Sequence, residues 1–274
     1  MTPPPAPFLK VLRTSLPEVG VHPGALADLH AGRLDAIIVE GAMDPAHAAR
    51  LVGRLEAELD PDAEIQLVPE AETYLQSPVL VGSSSWEQHL AAAEAWNDRA
   101  AGLCAGGPSL AAVFEASLGP LAGDLPVVVA DHAGRPLMPE TVRRMPPGGG
   151  LPRHLEIEQS LSPMYADFNP QLDGVTIWSF YITLQPALAG GELVVCETFP
   201  EERDPMTLLA GRVSAQTLDA RRHVRLAFQP GDLVMFAGGR FFHSVSPVEG
   251  DQSRWTVGGF MARSADGARF LRWS

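Results

Sequence analysis

The sequence is short of cysteine, of lysine and of long apolar runs. Its 274 residues hold two cysteines, Cys104 and Cys196, too few for a disulfide scaffold or a thiolate metal cluster. With no local partners, both read as buried thiols. No apolar stretch approaches the ~18 residues of a membrane span. The opening Met1-Thr-Pro-Pro-Pro-Ala-Pro7 has neither the basic region nor the apolar stretch of a secretory signal. A cytoplasmic protein that engages no membrane is the expectation. Lys10 is the sole lysine against nineteen arginines, so arginine is the generic cation and only position can single one out. Thirty-three acids against twenty bases give a formal net charge of −13, which argues against nucleic acid as a partner.

What is present is ordinary globular material. The chain is 46% hydrophobic and 19% charged, enough for a sizeable core. Residues 1–34 are Pro-rich and weakly patterned, which predicts an irregular lead-in. Leu34–Glu40 reads as a short strand. Asp44-Pro45 supplies an N-cap and a first-turn proline, and Ala48, Leu51, Val52 and Leu55 recur at helical spacing, predicting a helix over 45–59. Further helices are expected over Ser85–Leu103 and Ser109–Leu118.

After Pro120 the texture becomes short β-type runs punctuated by Gly, Pro and Asp: Val127–Ala130, Val175–Leu184, Glu192–Glu197, Val224–Gln229, Asp232–Phe236 and Trp255–Ala262. The expected class is mainly β with flanking helices (α+β). It would form a single domain, 1–274, with a helical N-terminal layer over 1–120 and an antiparallel barrel or jelly roll over 121–274.

Three stretches of the β half carry chemistry. In Pro146-Pro-Gly-Gly-Gly-Leu-Pro-Arg-His154-Leu-Glu156, the His and Glu are two apart, so extended backbone turns both to one face. A neutral imidazole and a carboxylate converging on a point suit a divalent metal such as iron(II). Gln229-Pro-Gly-Asp-Leu-Val-Met-Phe236 followed by Phe242-His243 delivers a second imidazole, completing a two-His, one-carboxylate set. Eleven residues on, Arg254-Trp-Thr256 places a guanidinium fork and a hydroxyl on one strand face, a seat for a carboxylate.

His154-Leu-Glu156, His243-Ser-Val-Ser-Pro-Val and Arg254-Trp-Thr256, with Tyr181-Ile-Thr-Leu and Gly190-Gly-Glu-Leu193 between them, resemble the iron(II)- and 2-oxoglutarate-dependent oxygenases. The resemblance spans roughly 140–262. It implies a double-stranded β-helix in which His154, Glu156 and His243 bind iron and Arg254 binds the distal carboxylate of the cosubstrate 2-oxoglutarate. Thr256 and Tyr181 are further candidates for cosubstrate contact, Thr256 reading equally as a β-branched strand residue and Tyr181 more readily as core or barrel lining. O2 is the oxidant, and succinate and CO2 are released. The family usually carries Asp where Glu156 stands, and the longer Glu places the loop presenting it further from the metal. Related halogenating enzymes replace this carboxylate with a small residue to admit halide, so a Glu here favours hydroxylation or desaturation.

The implied substrate is a small molecule, such as a free amino acid or a biosynthetic intermediate, and Arg143 and Arg144 are candidates for meeting an anionic group on it. Oligomeric state leaves no trace in the sequence. Two other readings stay open: a cupin-like metalloenzyme that uses no 2-oxoglutarate, and a non-catalytic β-barrel binding protein. Of the remaining histidines, Asp131-His132 reads as a solvated turn and His223 as part of a charged edge. His22, His30, His47 and His89 read as surface residues, and Trp178 and Trp255 as packing. Gly148–Gly150 lacks the Gly-Lys-Ser/Thr of a phosphate loop.

Overall fold

A computed structural model describes residues 7–58, 80, 83, 85–156, 163–174, 176–203 and 213–274, together with the backbone of two strands between 59 and 79. In chain order the first elements are β1 (Val11–Ser15), α1 (Ala25–His30), β2 (Ala36–Glu40), α2 (Pro45–Ala57), β3 (Ile65–Val68), β4 (Thr73–Leu75), α3 (Trp86–Leu103) and α4 (Leu110–Ala122). The middle of the chain forms β5 (Val127–Val129), β6 (Asp131–His132), β7 (Arg135–Pro136), β8 (Thr141–Met145), β9 (Leu151–His154), α5 (Pro163–Phe168), β10 (Trp178–Gln185), β11 (Ala189–Gly190) and β12 (Leu193–Cys196). The last part forms α6 (Ala215–Asp219), β13 (His223–Leu226), β14 (Leu233–Phe236), β15 (His243–Val245), β16 (Val248–Glu249), β17 (Arg254–Arg263) and β18 (Phe270–Trp273).

Two sheets organise these strands. The larger runs β1-β2-β14-β10-β17-β8-β4-β3, with β18 and β5 branching from the far half of β17. The smaller runs β13-β12-β15-β9. Strict alternation along β10 shows how the larger sheet is held. Trp178, Phe180, Ile182 and Leu184 belong to the apolar core shared with α2 and α4, while Ser179 and Tyr181 line the pocket on the opposite face. Phe114 of α4 meets Phe180 edge-on, with ring centroids 5.1 Å apart.

The helices begin where their caps predict. Asp44 accepts from the Ala46 N–H with Pro45 at the first helical position, Ser85 accepts from Gln88 N–H, and Ser109 from Ala112 N–H. α4 continues past Leu118 to Ala122 with Pro120 inside it, and Gly123 ends it at φ +66°.

The expected irregular lead-in is instead structured over its described part. β1 pairs in parallel with β2, which pairs antiparallel with β14, so these two strands extend the larger sheet. Only Thr14 of β1 is fully buried, and an edge strand stabilised by a distant partner leaves little apolar alternation to read. Trp178 and Trp255 are packing residues, wholly buried, and both cysteines are buried free thiols.

Two histidines expected at the surface are buried. His47 Nε2 donates to the Pro108 carbonyl at 3.0 Å, and its ring lies where a Cβ on Gly107 would sit, 2.3 Å from Cε1. His89 is enclosed completely. Its Nε2 accepts from Met138 N–H at 3.2 Å, so its Nδ1–H faces the Ser83 hydroxyl at 3.3 Å. Both lie on amphipathic helices, where spacing alone does not distinguish a polar residue in the core from one in water.

Burial pushes His89 down from 6.5 to about 4. Between those values the unfolded chain takes up a proton that the folded chain refuses. Stability therefore falls as pH drops from 6.5 towards 4, by at most about 3 kcal/mol, and by nothing further from this group below that. In urea titrations across this range, wild type should lose its advantage over His89→Gln as pH falls. A gap constant with pH would contradict the assignment.

Candidate metal and cosubstrate site

The small sheet carries the metal ligands. β9 and β15 run antiparallel with His154 directly opposite His243, which brings the imidazole centroids to 4.3 Å. Each ring is fixed the same way. Nδ1–H of His154 donates to the Pro152 carbonyl at 2.8 Å, and Nδ1–H of His243 donates to the Phe241 carbonyl at 2.9 Å. A carbonyl can only accept, so both Nε2 atoms keep a lone pair for a metal.

Glu156 follows just past the end of β9, with its N–H on the Gly238 carbonyl. Its Oε1 lies 3.3 Å from His243 Nε2 and 3.7 Å from His154 Nε2. The three ligand atoms lie within 4.8 Å of one another, and among the described residues no other cluster of His, Cys, Asp and Glu has this form. Where the imidazoles carry a proton on Nε2 in place of a metal, burial works against the charged form of Glu156, but hydrogen bonding and charge from His154 and His243 outweigh it and hold the carboxyl well below its usual range. A converging pair of imidazoles and a carboxylate fits iron(II).

Two residues not anticipated from sequence complete this arrangement. The Ser179 hydroxyl donates to Glu156 Oε1 at 2.5 Å. Gly238 has no side chain where one would collide: a Cβ there would stand 2.4 Å from Glu156 Cγ and 3.2 Å from His243 Cε1. Cγ is the extra methylene that distinguishes Glu from Asp, so the longer side chain runs over a bare glycine. Period-two alternation from Tyr181 places Ser179 on the pocket face, a signal the sequence held. Nothing local marks Gly238.

The larger sheet supplies the facing wall. Arg254, at the start of β17, is buried, with its guanidinium 5.3 Å from the Tyr181 ring centroid and 3.8 Å from Met145 Sδ. Desolvation lowers its pKa, partly countered by Tyr181. Gly191, at φ +65°, packs where a Cβ would sit 3.1 Å from Arg254 Cδ, so the glycine turn before β12 makes room for the arginine. Thr256, one step along the same face, is also buried, and Tyr181 points into the pocket from β10. Burial raises the Tyr181 phenol, while Arg254 and Arg143 favour its ionised form.

The pocket is thus lined by His154, Glu156 and His243 on one side and by Tyr181, Arg254 and Thr256 on the other, with Arg143 also among its walls. Arg144 is not brought in. It pairs across from Trp255, on the face of β8 opposite to the one that Arg143 shares with Thr256. Adjacent strand residues point apart, so only one arginine of the pair can enter. His132 lies outside the pocket, stacked on Trp86 at 3.7 Å.

Removing the Ser179 hydroxyl or filling the space at Gly238 should loosen the carboxylate. Ser179→Ala is expected to weaken iron(II) binding about 10-fold, and Gly238→Ala at least as much. Competition with a chelating dye checks both, and undiminished affinity in Gly238→Ala would show that Glu156 is not a ligand.

Comparison with known proteins agrees with this geometry. No curated protein sequence matches the chain. Among solved structures it is similar to an N-substituted L-amino acid dioxygenase from Burkholderia ambifaria AMMD in complex with alpha-KG. The two are 16% identical over 90% of each chain, with a TM-score of 0.56. It is also similar to HygX from Streptomyces hygroscopicus with nickel and 2-oxoglutarate bound, at 13% identity over 91% of this chain and 96% of that one, TM-score 0.51. These establish a shared fold, the double-stranded β-helix of the 2-oxoglutarate oxygenases. Residues 8–274 match the family model of the carrier-protein-independent halogenase WelO5. A match over nearly the whole chain, around a facial set of His154, Glu156 and His243, places this protein in the WelO5 family of iron(II)- and 2-oxoglutarate-dependent enzymes.

Proposed function

We propose that this family member is an oxygenase that hydroxylates an unactivated C–H bond of a small molecule, rather than a halogenase. The observation that carries the reading is Glu156. Halogenating relatives leave this ligand position to a small residue so that halide can bind, whereas here a carboxylate lies within 3.3 Å of His243 Nε2 and is held by Ser179. A carboxylate at this position would take the place and the negative charge that a halide needs.

Iron(II) and 2-oxoglutarate supply the oxidation of substrate by O2, with one oxygen atom entering the substrate as hydroxyl and the other entering succinate as CO2 is lost. The chain's own contribution is to bind and orient. His154, His243 and Glu156 would hold the iron, which would supply the oxidising chemistry there. Arg254 presents a buried guanidinium to the distal carboxylate of 2-oxoglutarate, with Thr256 and Tyr181 beside it. Phe236 stands edge-on to His243, ring centroids 5.0 Å apart, and helps exclude water from the metal side.

Anaerobic addition of iron(II) and then 2-oxoglutarate should produce a weak visible metal-to-ligand band, absent in His154→Ala. Arg254→Ala is expected to weaken 2-oxoglutarate by about 30-fold or more, since it removes a buried charged partner. With O2 and chloride present, a panel of amino acids and related metabolites should yield hydroxylated products and succinate. Chlorinated product from the wild-type protein would replace this reading with halogenation, which the family's namesake activity also supports.

A further inference from the structure

Among the described lining residues, Arg143 is the one charged side chain that the proposed reaction leaves without work. It lies on β8, directly across from Thr256 of β17, while the neighbouring same-face pair is Met145 and Arg254. The two arginines therefore project from one wall of the pocket, one strand repeat apart, roughly 7 Å along the strand. Among the described residues Arg143 makes no hydrogen bond and no ion pair, and its Nε is buried without an acceptor. Glu156 favours its charge, but only at a distance beyond ion-pair contact, while Arg254 opposes it. Arg143 is half-buried, and a guanidinium with five donors that cannot discard its charge loses water on that side without gaining an acceptor.

The charges lining the pocket show what kind of partner is missing. Among the described lining side chains, two arginines stand against one carboxylate, Glu156, and Ser274 also lines the pocket. Iron(II) and the 2-oxoglutarate dianion cancel each other in charge, so loading the pocket still leaves its lining side chains with one more guanidinium than carboxylate. Both cosubstrate carboxylates already have seats, one at the metal and one at Arg254. We infer that Arg143 is a second oxyanion seat, separate from that of Arg254, and that the substrate carries a carboxylate which docks there. This rests on the oxygenase reading above and sharpens it. The carboxylate would be gripped by the planar fork of the guanidinium, which fixes which C–H bond faces the metal.

The test uses full-length protein loaded with redox-silent Mn(II) and 2-oxoglutarate, and calorimetry with matched probes: N-acetyl and free L-amino acids, each against its carboxamide. Titration of 2-oxoglutarate comes first. If wild type fails to bind it, the oxygenase reading fails, independently of Arg143. With that established, at least one carboxylate should bind wild type 10-fold or more tightly than its amide. Arg143→Gln should bind both alike while keeping 2-oxoglutarate affinity within about threefold of wild type. Arg143→Lys, which keeps charge but loses the fork, should retain part of the preference, and serves as the folded control if the glutamine variant is unstable. Three results would overturn the inference: no carboxylate preferred over its amide in wild type, a preference that survives Arg143→Gln, or loss of 2-oxoglutarate affinity in Arg143→Gln comparable to that in Arg254→Ala. The last would make Arg143 a seat for the cosubstrate.

Discussion

The pairing of β9 with β15 in a register that sets His154 opposite His243 is the constraint on which the site depends. A slip of one residue would turn one imidazole to the far side of the sheet and abolish the cluster. Each histidine is oriented by a carbonyl two residues earlier in its own chain segment, Pro152 for one and Phe241 for the other. Strand geometry therefore fixes the tautomers as well as the positions. Glu156 arrives from beyond the strand end and is not held by the ladder. It depends on Ser179 from the opposite sheet and on the space at Gly238. The two histidines are thus secured by one sheet, and the carboxylate by contacts between two.

That division separates two tasks. The small sheet carries the imidazoles, and the larger one, braced by α2 and α4 through Phe180 and its same-face neighbours, carries the buried guanidinium of Arg254. Because outward residues of β10 fill the core while inward ones line the pocket, the rigidity of the pocket wall follows from the packing behind it. The electrostatics divide likewise. The chain has a formal net charge of −13, yet its pocket presents two buried or partly buried guanidiniums against one acid. Overall charge reflects the exposed acids and governs the approach of macromolecules. Local burial governs what the pocket accepts.

Much of this was legible in the residues. The helix starts at Pro45, Trp86 and Leu110 are written in their caps, and the alternation of β10 is written in Trp178–Leu184. His154, Glu156 and His243 stood out because a metal site demands scarce residue types in a fixed order. Position gave Arg254 its rank in a chain where arginine is common. The burial of His47 and His89 was not legible, since their polar partners, Pro108, Met138 and Ser83, are carbonyl, amide and hydroxyl groups brought in by other segments. The strand in the Pro-rich N-terminal stretch was hidden for a related reason: β1 is an edge strand whose pairing lies with β2.

By itself, then, the sequence determined the class of fold and the ligand set and singled out Arg254 among the arginines, because these rest on residue type, spacing and local periodicity. Tertiary structure decided which of two adjacent arginines enters the pocket, Arg143 facing in and Arg144 out. It also brought Ser179 and Gly238, remote in the chain, into contact with Glu156. Both outcomes depend on strand register and on the approach of one sheet to the other. Those are set by the packing of the whole core, and no local run of residues encodes them.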